Sequence, residues 1–278
     1  MPVEMRPLSS GFGVELRGFD PRAMNAEGAD IFRRAFAEHH LVLIRGVDLS
    51  EDEQTVLTET LGEVSFVSPV MKEGGARKYS FVSNDQADGK IGDGELLFHS
   101  DHTFFERPLR AIALYALAVP TEGGETLFAD AGGAYRRLPD DLKRRIAGLQ
   151  ARHMASYGAY EGDKRPVFDP EARANVRLQP MVWRHPDSAE EILFVSRLIA
   201  ESIPALPPGE SEALLERLFA FIEDPAHLYV HRWRVGDYLV WDNRQLQHAR
   251  RTFDPTQKRT LRRVPIAEPA PRHTSPSQ

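Results

Sequence analysis

The sequence predicts a mainly β fold, a β-sandwich or jelly roll with helical cover. Two observations carry that reading. Most of the chain breaks into short strand-like runs, and helical periodicity is confined to a few stretches at the margins. Helices do not alternate regularly with strands, which argues against a βαβ sheet. No internal repeat and no low-complexity linker divides the chain, so residues 1–267 read as a single domain. Residues 268–278, with Pro269, Pro271 and Pro276, read as a disordered tail.

In chain order, Ala26 to Glu38 is expected to be a helix because Ile31, Phe32, Ala35 and Phe36 fall on one face. Leu41 to Ile44, ended by Arg45-Gly46, has the continuous apolar character of a buried strand. Ser50 followed by Glu53 forms a capping box for a second helix, which Gly62 stops. Strand-like runs follow at Lys78–Val82, Leu96–His99, Arg110–Val119, Thr126–Ala129, Leu149–Ser156, Val176–Trp183 and Glu191–Ser196. After Pro207-Pro208, residues Leu214, Leu215, Leu218, Phe219 and Ile222 recur at helical spacing. Tyr229–Trp233 and Tyr238–Trp241, with Gly236 between them, read as a hairpin. Gln247–Thr252 and Arg259–Ile266 complete the strands.

Composition narrows the function. The 278 residues carry 41 Asp+Glu against 35 Lys+Arg, a net charge of −6, whereas bulk nucleic-acid binding needs a basic footprint. The longest apolar run, Ala111 to Pro120, is strand-sized, and the start lacks the basic and apolar regions of a signal peptide. A cytoplasmic protein with no membrane or nucleic-acid partner is expected, and self-association into a homo-oligomer is allowed. The absence of Cys excludes disulfides, cysteine nucleophiles and thiolate metal sites. Any metal must sit on the ten His, on carboxylates or on water.

The chain has no phosphate-binding loop, no His-Glu-x-x-His and no Gly-x-Ser-x-Gly elbow, which leaves histidine chemistry. His99 and Asp101 are two residues apart, so a strand would point both to one face. Alone the pair is weak, because chance predicts about 1.5 such triplets in this composition. His185-Pro186-Asp187 is a second triplet, read as a turn. His248, after a strong strand pair, would complete a set of two His and one carboxylate, the facial triad of non-haem Fe(II) oxygenases. Arg259 and Arg263 fall on one face of the last strand, where buried guanidinium groups call for carboxylate partners. The bland alternative is a solvated basic strand, since Arg250 to Arg263 holds six positive charges against Asp254.

These residues carry a resemblance to a known family. Phe98-His99-Ser100-Asp101, Gly123-Gly124-Glu125-Thr126, Trp241-Asp242-Asn243-Arg244, His248 and Arg259 occur in the order and with the gaps seen in Fe(II)/2-oxoglutarate enzymes related to taurine dioxygenase and 2,4-dichlorophenoxyacetate dioxygenase. The segment His231 to Arg263 is most similar to the phenoxyacetate branch. The resemblance implies a distorted double-stranded β-helix of the cupin-like, jelly-roll type. It implies that His99, Asp101 and His248 bind Fe(II) and form the catalytic centre. Thr126 and Arg259 would hold the distal carboxylate of 2-oxoglutarate, and Arg263 would face the co-substrate and an anionic primary substrate. The reaction implied uses O2 to hydroxylate a small organic acid, with release of succinate and CO2. Retention of the Asp101 carboxylate favours hydroxylation over halogenation, while desaturation and cyclisation use the same centre. Phe81, Phe98, Phe104, Phe105 and Phe194 are candidate apolar walls, and Ser68-Pro69-Val70-Met71 lacks the His and Tyr of taurine-binding members. Trp241-Asp242-Asn243 is expected to position the turn before His248, and the role of His102 stays open. Competing readings are a non-catalytic cupin-like binder, a zinc hydrolase on the same ligands, and a nucleic-acid demethylase.

Overall fold

A computed structural model of the chain describes residues 3–9, 11–66, 77–86, 89, 94–154, 160–161, 165–166 and 176–269. Strands β1 (Glu4–Pro7) and β2 (Val14–Arg17) precede helix α1 (Ala26–His39), β3 (Leu41–Ile44) and α2 (Glu51–Glu59). Then come β4 (Ser80–Ser83), β5 (Leu96–His99), β6 (Ala111–Ala118), β7 (Thr126–Asp130), α3 (Ala131–Arg137), α4 (Asp140–Ile146) and β8 (Gln150–Met154). Short strands β9 (Tyr160–Glu161), β10 (Arg165–Pro166), β11 (Val176–Pro180), β12 (Val182–Arg184), β13 (Glu191–Leu193) and β14 (Ala200–Ser202) lead to α5 (Pro208–Ile222). The chain finishes with β15 (Leu228–His231), β16 (Tyr238–Asp242), β17 (Leu246–Arg250) and β18 (Thr260–Ile266).

Two sheets make the body of the double-stranded β-helix. The larger has strand order β1-β2-β3-β16-β6-β18-β4, and the smaller β15-β7-β17-β5. Alternation along the strands sorts side chains into layers. Leu41, Leu43, Ile112, Leu114, Leu239, Trp241 and Leu261 from the large sheet meet Phe128 and Leu246 from the small one. The outer face of the large sheet, with Val42, Ile44, Tyr115, Tyr238, Val240, Val264 and Ile266, packs on Phe32, Ala35 and Phe36 of α1 and Leu57 of α2. Residues of α3, α4 and α5, including Ala134, Leu142, Leu215 and Leu218, cover the small sheet around Ala129. Each Leu or Phe so buried contributes on the order of 1.5–3 kcal/mol.

The helix signals read from the sequence are present. Asn25 caps α1 by accepting from Gly28 N at 2.9 Å, and Ser50 with Glu53 forms the expected capping box on α2. Other expectations need correction. β15 and β16 do not form a hairpin, because β15 pairs with β7 in the small sheet and β16 with β3 and β6 in the large one. The turn between them is tied to the large sheet instead, with Gly236 N donating to Ala116 O and Val47 N donating to Gly236 O. The run 176–183 splits at Met181, whose backbone bonds to Leu149 and Phe194 divert the chain into a second ladder. Helices α3 and α4 and strands β1, β2 and β14 were not anticipated. Glu268, placed at the start of the tail, is still docked, 3.3 Å from Arg244 Nη1. Ser68–Met71, residues 155–156 and the tail from residue 270 lie outside the described residues.

Candidate active site

Strand pairing builds the centre. His248 on β17 is directly opposite His99 on β5, so both rings project from the same face, with centroids 4.1 Å apart. Asp101 lies two residues beyond His99, just past the end of β5, and turns its carboxylate to both rings. Its Oδ1 is 3.1 Å from His99 Nε2 and 3.9 Å from His248 Nε2. One ligand atom from each residue falls within 4.8 Å of the others. An ion roughly 2 Å from each ligand bridges atoms up to about 4 Å apart, which covers both Asp101 contacts. Leu97 O lies 2.8 Å from His99 Nδ1 and fixes the tautomer that leaves Nε2 free for a metal. The rings of Trp241 and Phe128 flank His248 at 4.8 and 6.4 Å.

Charge in the site is arranged for a cation. Burial disfavours ionised Asp101, but the Arg263 guanidinium and the His99 contact outweigh it and hold the carboxyl well below the usual carboxylate range. Arg263 Nη2 donates to Asp101 Oδ2 at 2.6 Å. Burial, then the nearby His99, lower His248 to about 3, so its ring is neutral and suited to ligation. Two imidazoles and one carboxylate, with the remaining positions open, are a donor set that fits Fe(II).

Thr126 and Arg259, the residues expected to hold the distal carboxylate, are both buried. Thr126 on β7 faces the interior two residues along from Phe128, which is opposite His248. That offset is about 7 Å, comparable with the length of a five-carbon diacid. Arg259 is 3 % exposed, and burial, followed by the charge of Arg250, lowers it to about 9. Among the described residues no carboxylate lies within ion-pairing distance of it. Its Nε donates to Gly124 O at 3.1 Å, leaving the two terminal nitrogens for another acceptor. Glycine is required at two positions here. Gly124 has φ +67°, and a Cβ would stand 3.1 Å from Arg259 Cδ, while a Cβ on Gly123 would stand 2.4 Å from Thr252 O.

Arg259 and Arg263 thus both point inward, as the even spacing predicts. Arg262 points the other way, onto Gln54 and the carbonyls of Leu49 and Ser50 at the start of α2. The aromatic walls are partly corrected. Phe98 lies on the opposite face of β5 from His99 and packs with the α3–α5 layer. Phe81 is opposite Arg262 and shares its outward face. Phe104 stays near the site, clustered with Leu97, Leu198 and Ile199, with Phe105 against them. Phe194 stacks on His153 and lies tilted against Trp183. His102 adopts φ +63°, and its ring is edge-on to Phe105 at 5.2 Å. Burial lowers His102 to about 4, so it is neutral.

Three supporting roles were missed in the sequence. Asn243 holds the backbone of Asp101, and Trp233 Nε1 donates to Thr126 Oγ1. Below them Asp242 accepts from Arg244 and contacts His185, while Arg244 also reaches Asp187 and Glu268. The sequence signal for Asp242, Asn243 and Arg244 was the motif Trp241-Asp242-Asn243-Arg244, of which Trp241-Asp242-Asn243 was expected only to position the turn before His248. His185-Pro186-Asp187 is the turn between β12 and β13, as expected.

The family model described as taurine catabolism dioxygenase TauD, TfdA family, matches residues 4–264. An (S)-phenoxypropionate/alpha-ketoglutarate-dioxygenase from Sphingobium herbicidovorans is 33% identical, covering 93% of this chain and 92% of that protein. An alpha-ketoglutarate-dependent 2,4-dichlorophenoxyacetate dioxygenase from Cupriavidus pinatubonensis is 30% identical over 97% of this chain and 99% of its own length. The crystal structure of AAD-2 in complex with Mn(II) and N-oxalylglycine superposes with a TM-score of 0.80 at 27% identity, covering 98% of this chain and 99% of the other.

Proposed function

Because this chain belongs to the TauD, TfdA family and is an Fe(II)- and 2-oxoglutarate-dependent dioxygenase, we propose a role for each residue of its site. His99, Asp101 and His248 hold the iron. Thr126 and Arg259 hold the distal carboxylate of 2-oxoglutarate, and Arg263 serves the anionic groups that approach the metal. The observation that carries this assignment is the three-ligand cluster, with a buried guanidinium that has no carboxylate partner among the described residues. Once bound, the iron supplies the redox chemistry that couples oxidative decarboxylation of 2-oxoglutarate by O2 to hydroxylation of the substrate, leaving succinate and CO2.

The protein groups do the rest. His99 and His248 ligate through Nε2, and Asp101 brings the single negative charge that Arg263 balances. Arg259 offers two parallel N–H groups to a carboxylate, a geometry a lysine cannot reproduce. Its burial makes that contact strong, because water does not compete for it. The apolar cluster of Leu97, Phe104, Leu198 and Ile199 excludes water on the β5 side.

The primary substrate in this proposal is a small anionic organic acid with an apolar body, an aryloxyalkanoic acid being the first class to test. Support comes from Arg263, from the apolar cluster and from the relatives named for phenoxypropionate and 2,4-dichlorophenoxyacetate. Residues 1–267 act as one functional unit in a cytoplasmic enzyme under the same reading. No described helix is long and apolar enough to cross a membrane. The test is substrate-stimulated succinate formation across aryloxyacids, sulfonates, sulfate esters and amino-acid derivatives. Stimulation by aryloxyacids is expected. Stimulation confined to sulfonates or neutral compounds would refute the substrate class.

A further inference from the structure

Trp233 lies just beyond β15, and its indole reaches Thr126 across the ladder. Its Nε1 is 2.9 Å from Thr126 Oγ1. An indole N–H can only donate, so the threonine oxygen is the acceptor in this contact. The single hydroxyl proton of Thr126 is therefore left for a different partner. Among the described residues no acceptor takes it, although Thr126 is only 3 % exposed.

The indole is held by groups outside the proposed chemistry. Thr126 is directly opposite His231 in the β7–β15 ladder, and Trp233 follows two residues later. The His231 ring meets the indole edge to face, with centroids 4.4 Å apart at 86°. His231 is fully buried, with Nδ1 3.1 Å from Tyr229 Oη and Nε2 3.2 Å from Asp237 Oδ2. Asp237 is anchored in turn by Arg45 Nη1 at 2.6 Å. An indole fixed this way keeps its N–H aimed at one atom.

We propose that Trp233 is a positioning residue for 2-oxoglutarate: by donating to Thr126 Oγ1 it commits the threonine proton to the co-substrate's distal carboxylate. The inference rests on the reading that Thr126 and Arg259 form the carboxylate clamp. The clamp then presents only donors, two guanidinium N–H groups and one O–H, to a group that only accepts. Without the indole the hydroxyl rotates, and its oxygen can face the carboxylate lone pairs, which repels the ligand rather than binding it.

The experiment titrates the Mn(II)-loaded full chain by calorimetry with 2-oxoglutarate and, separately, with oxalate, which chelates a metal but has no distal carboxylate. Wild type is compared with Trp233→Phe, Thr126→Val and the double variant. Trp233→Phe should weaken 2-oxoglutarate about tenfold, a shift of ~1.4 kcal/mol. Thr126→Val should weaken it at least as much, and the double variant should bind no more weakly than Thr126→Val alone. Oxalate affinity should be the same in all four proteins. Unchanged 2-oxoglutarate affinity in Trp233→Phe overturns the proposal, as does a tenfold loss that persists in the Thr126→Val background. A parallel loss of oxalate binding in Trp233→Phe overturns it too, because the indole would then be merely structural. Wild-type affinity in Thr126→Val would instead reject the clamp reading, and this inference with it.

Discussion

The side-chain amide of Asn243 brackets the backbone of Asp101, accepting its N–H at 2.8 Å and donating to its carbonyl at 3.0 Å. A third bond runs from Asn243 Nδ2 to Leu109 O at 2.9 Å. The relationship matters because Asp101 lies past the end of β5, where no strand ladder fixes it, whereas His99 and His248 are held by direct pairing. Asn243 thus replaces the ladder for the third proposed ligand. Asn243→Ala is expected to weaken Fe(II) or Mn(II) binding about 10–100-fold, the range found when groups that orient metal ligands are removed. Anaerobic metal titration measures this, and wild-type affinity would mean Asp101 is fixed by other contacts.

Arg259→Ala should leave metal affinity intact and weaken 2-oxoglutarate by ~2–5 kcal/mol, because the co-substrate carboxylate would remain buried without its partner. Arg259→Lys should recover little of this, since a lysine cannot serve Gly124 O and both carboxylate oxygens together. The KM for 2-oxoglutarate and the metal Kd, measured side by side, check the split. A fall in metal affinity of the same size would place Arg259 in the scaffold rather than the clamp.

Gly124→Ala should act through the same guanidinium. The added methyl meets Arg259 Cδ and Pro120 Cγ at 3.1 Å, and the residue sits at φ +67°. Destabilisation of about 1–2 kcal/mol from the left-handed backbone alone is expected, with weaker 2-oxoglutarate binding and unchanged metal binding. Urea unfolding and co-substrate titration of this variant test both parts.

Asp242 links the centre to the stability of the whole chain. Burial raises its pKa, but bonds from Arg244 and the His185 contact outweigh this and leave it well below the usual carboxylate range. A carboxyl whose folded pKa lies below its unfolded value, about 3.9, contributes stability that is fully present above that value and is lost as pH falls beneath it. Urea unfolding should therefore show constant stability near neutrality and a decline below about pH 4. Asp242→Asn should cost about 3–5 kcal/mol at pH 7, because Arg244 loses its buried partner, and should flatten that acid decline. An unchanged acid slope in the variant would assign the decline to other carboxyls.

Much of this was legible in local pattern. The apolar faces of α1 and α5, the Ser50–Glu53 box and the Leu41–Ile44 run are dictated by neighbours in sequence, and each appears where expected. The proposed ligands were legible from the two-residue step between His99 and Asp101 and from the family motifs, although Asp101 lies just beyond β5 and is brought to His99 by the turn rather than by strand alternation. What failed were features set by distant partners. The inward or outward direction of Phe81 and Phe98 depends on register against β18 and β17. The false hairpin arose because two good strands near a glycine look alike whether they pair with each other or cross between sheets. Helix α4 did carry a local signal, with Leu138, Leu142 and Ile146 four residues apart and acidic residues in the first turn. The motif around Asn243 marked a structural position but not its partner, and Trp233 carried no signal, because each acts on a residue more than 100 positions away.

The central claim is that one iron centre, built by His99, Asp101 and His248, organises co-substrate binding. Anaerobic titration with 2-oxoglutarate, with and without Fe(II), tests it most directly in the wild type and in His99→Ala. The account predicts saturable binding that requires Fe(II) in the wild type and is lost in His99→Ala even when Fe(II) is added. Equal affinity without metal, or undiminished Fe(II)-dependent binding in His99→Ala, would contradict it.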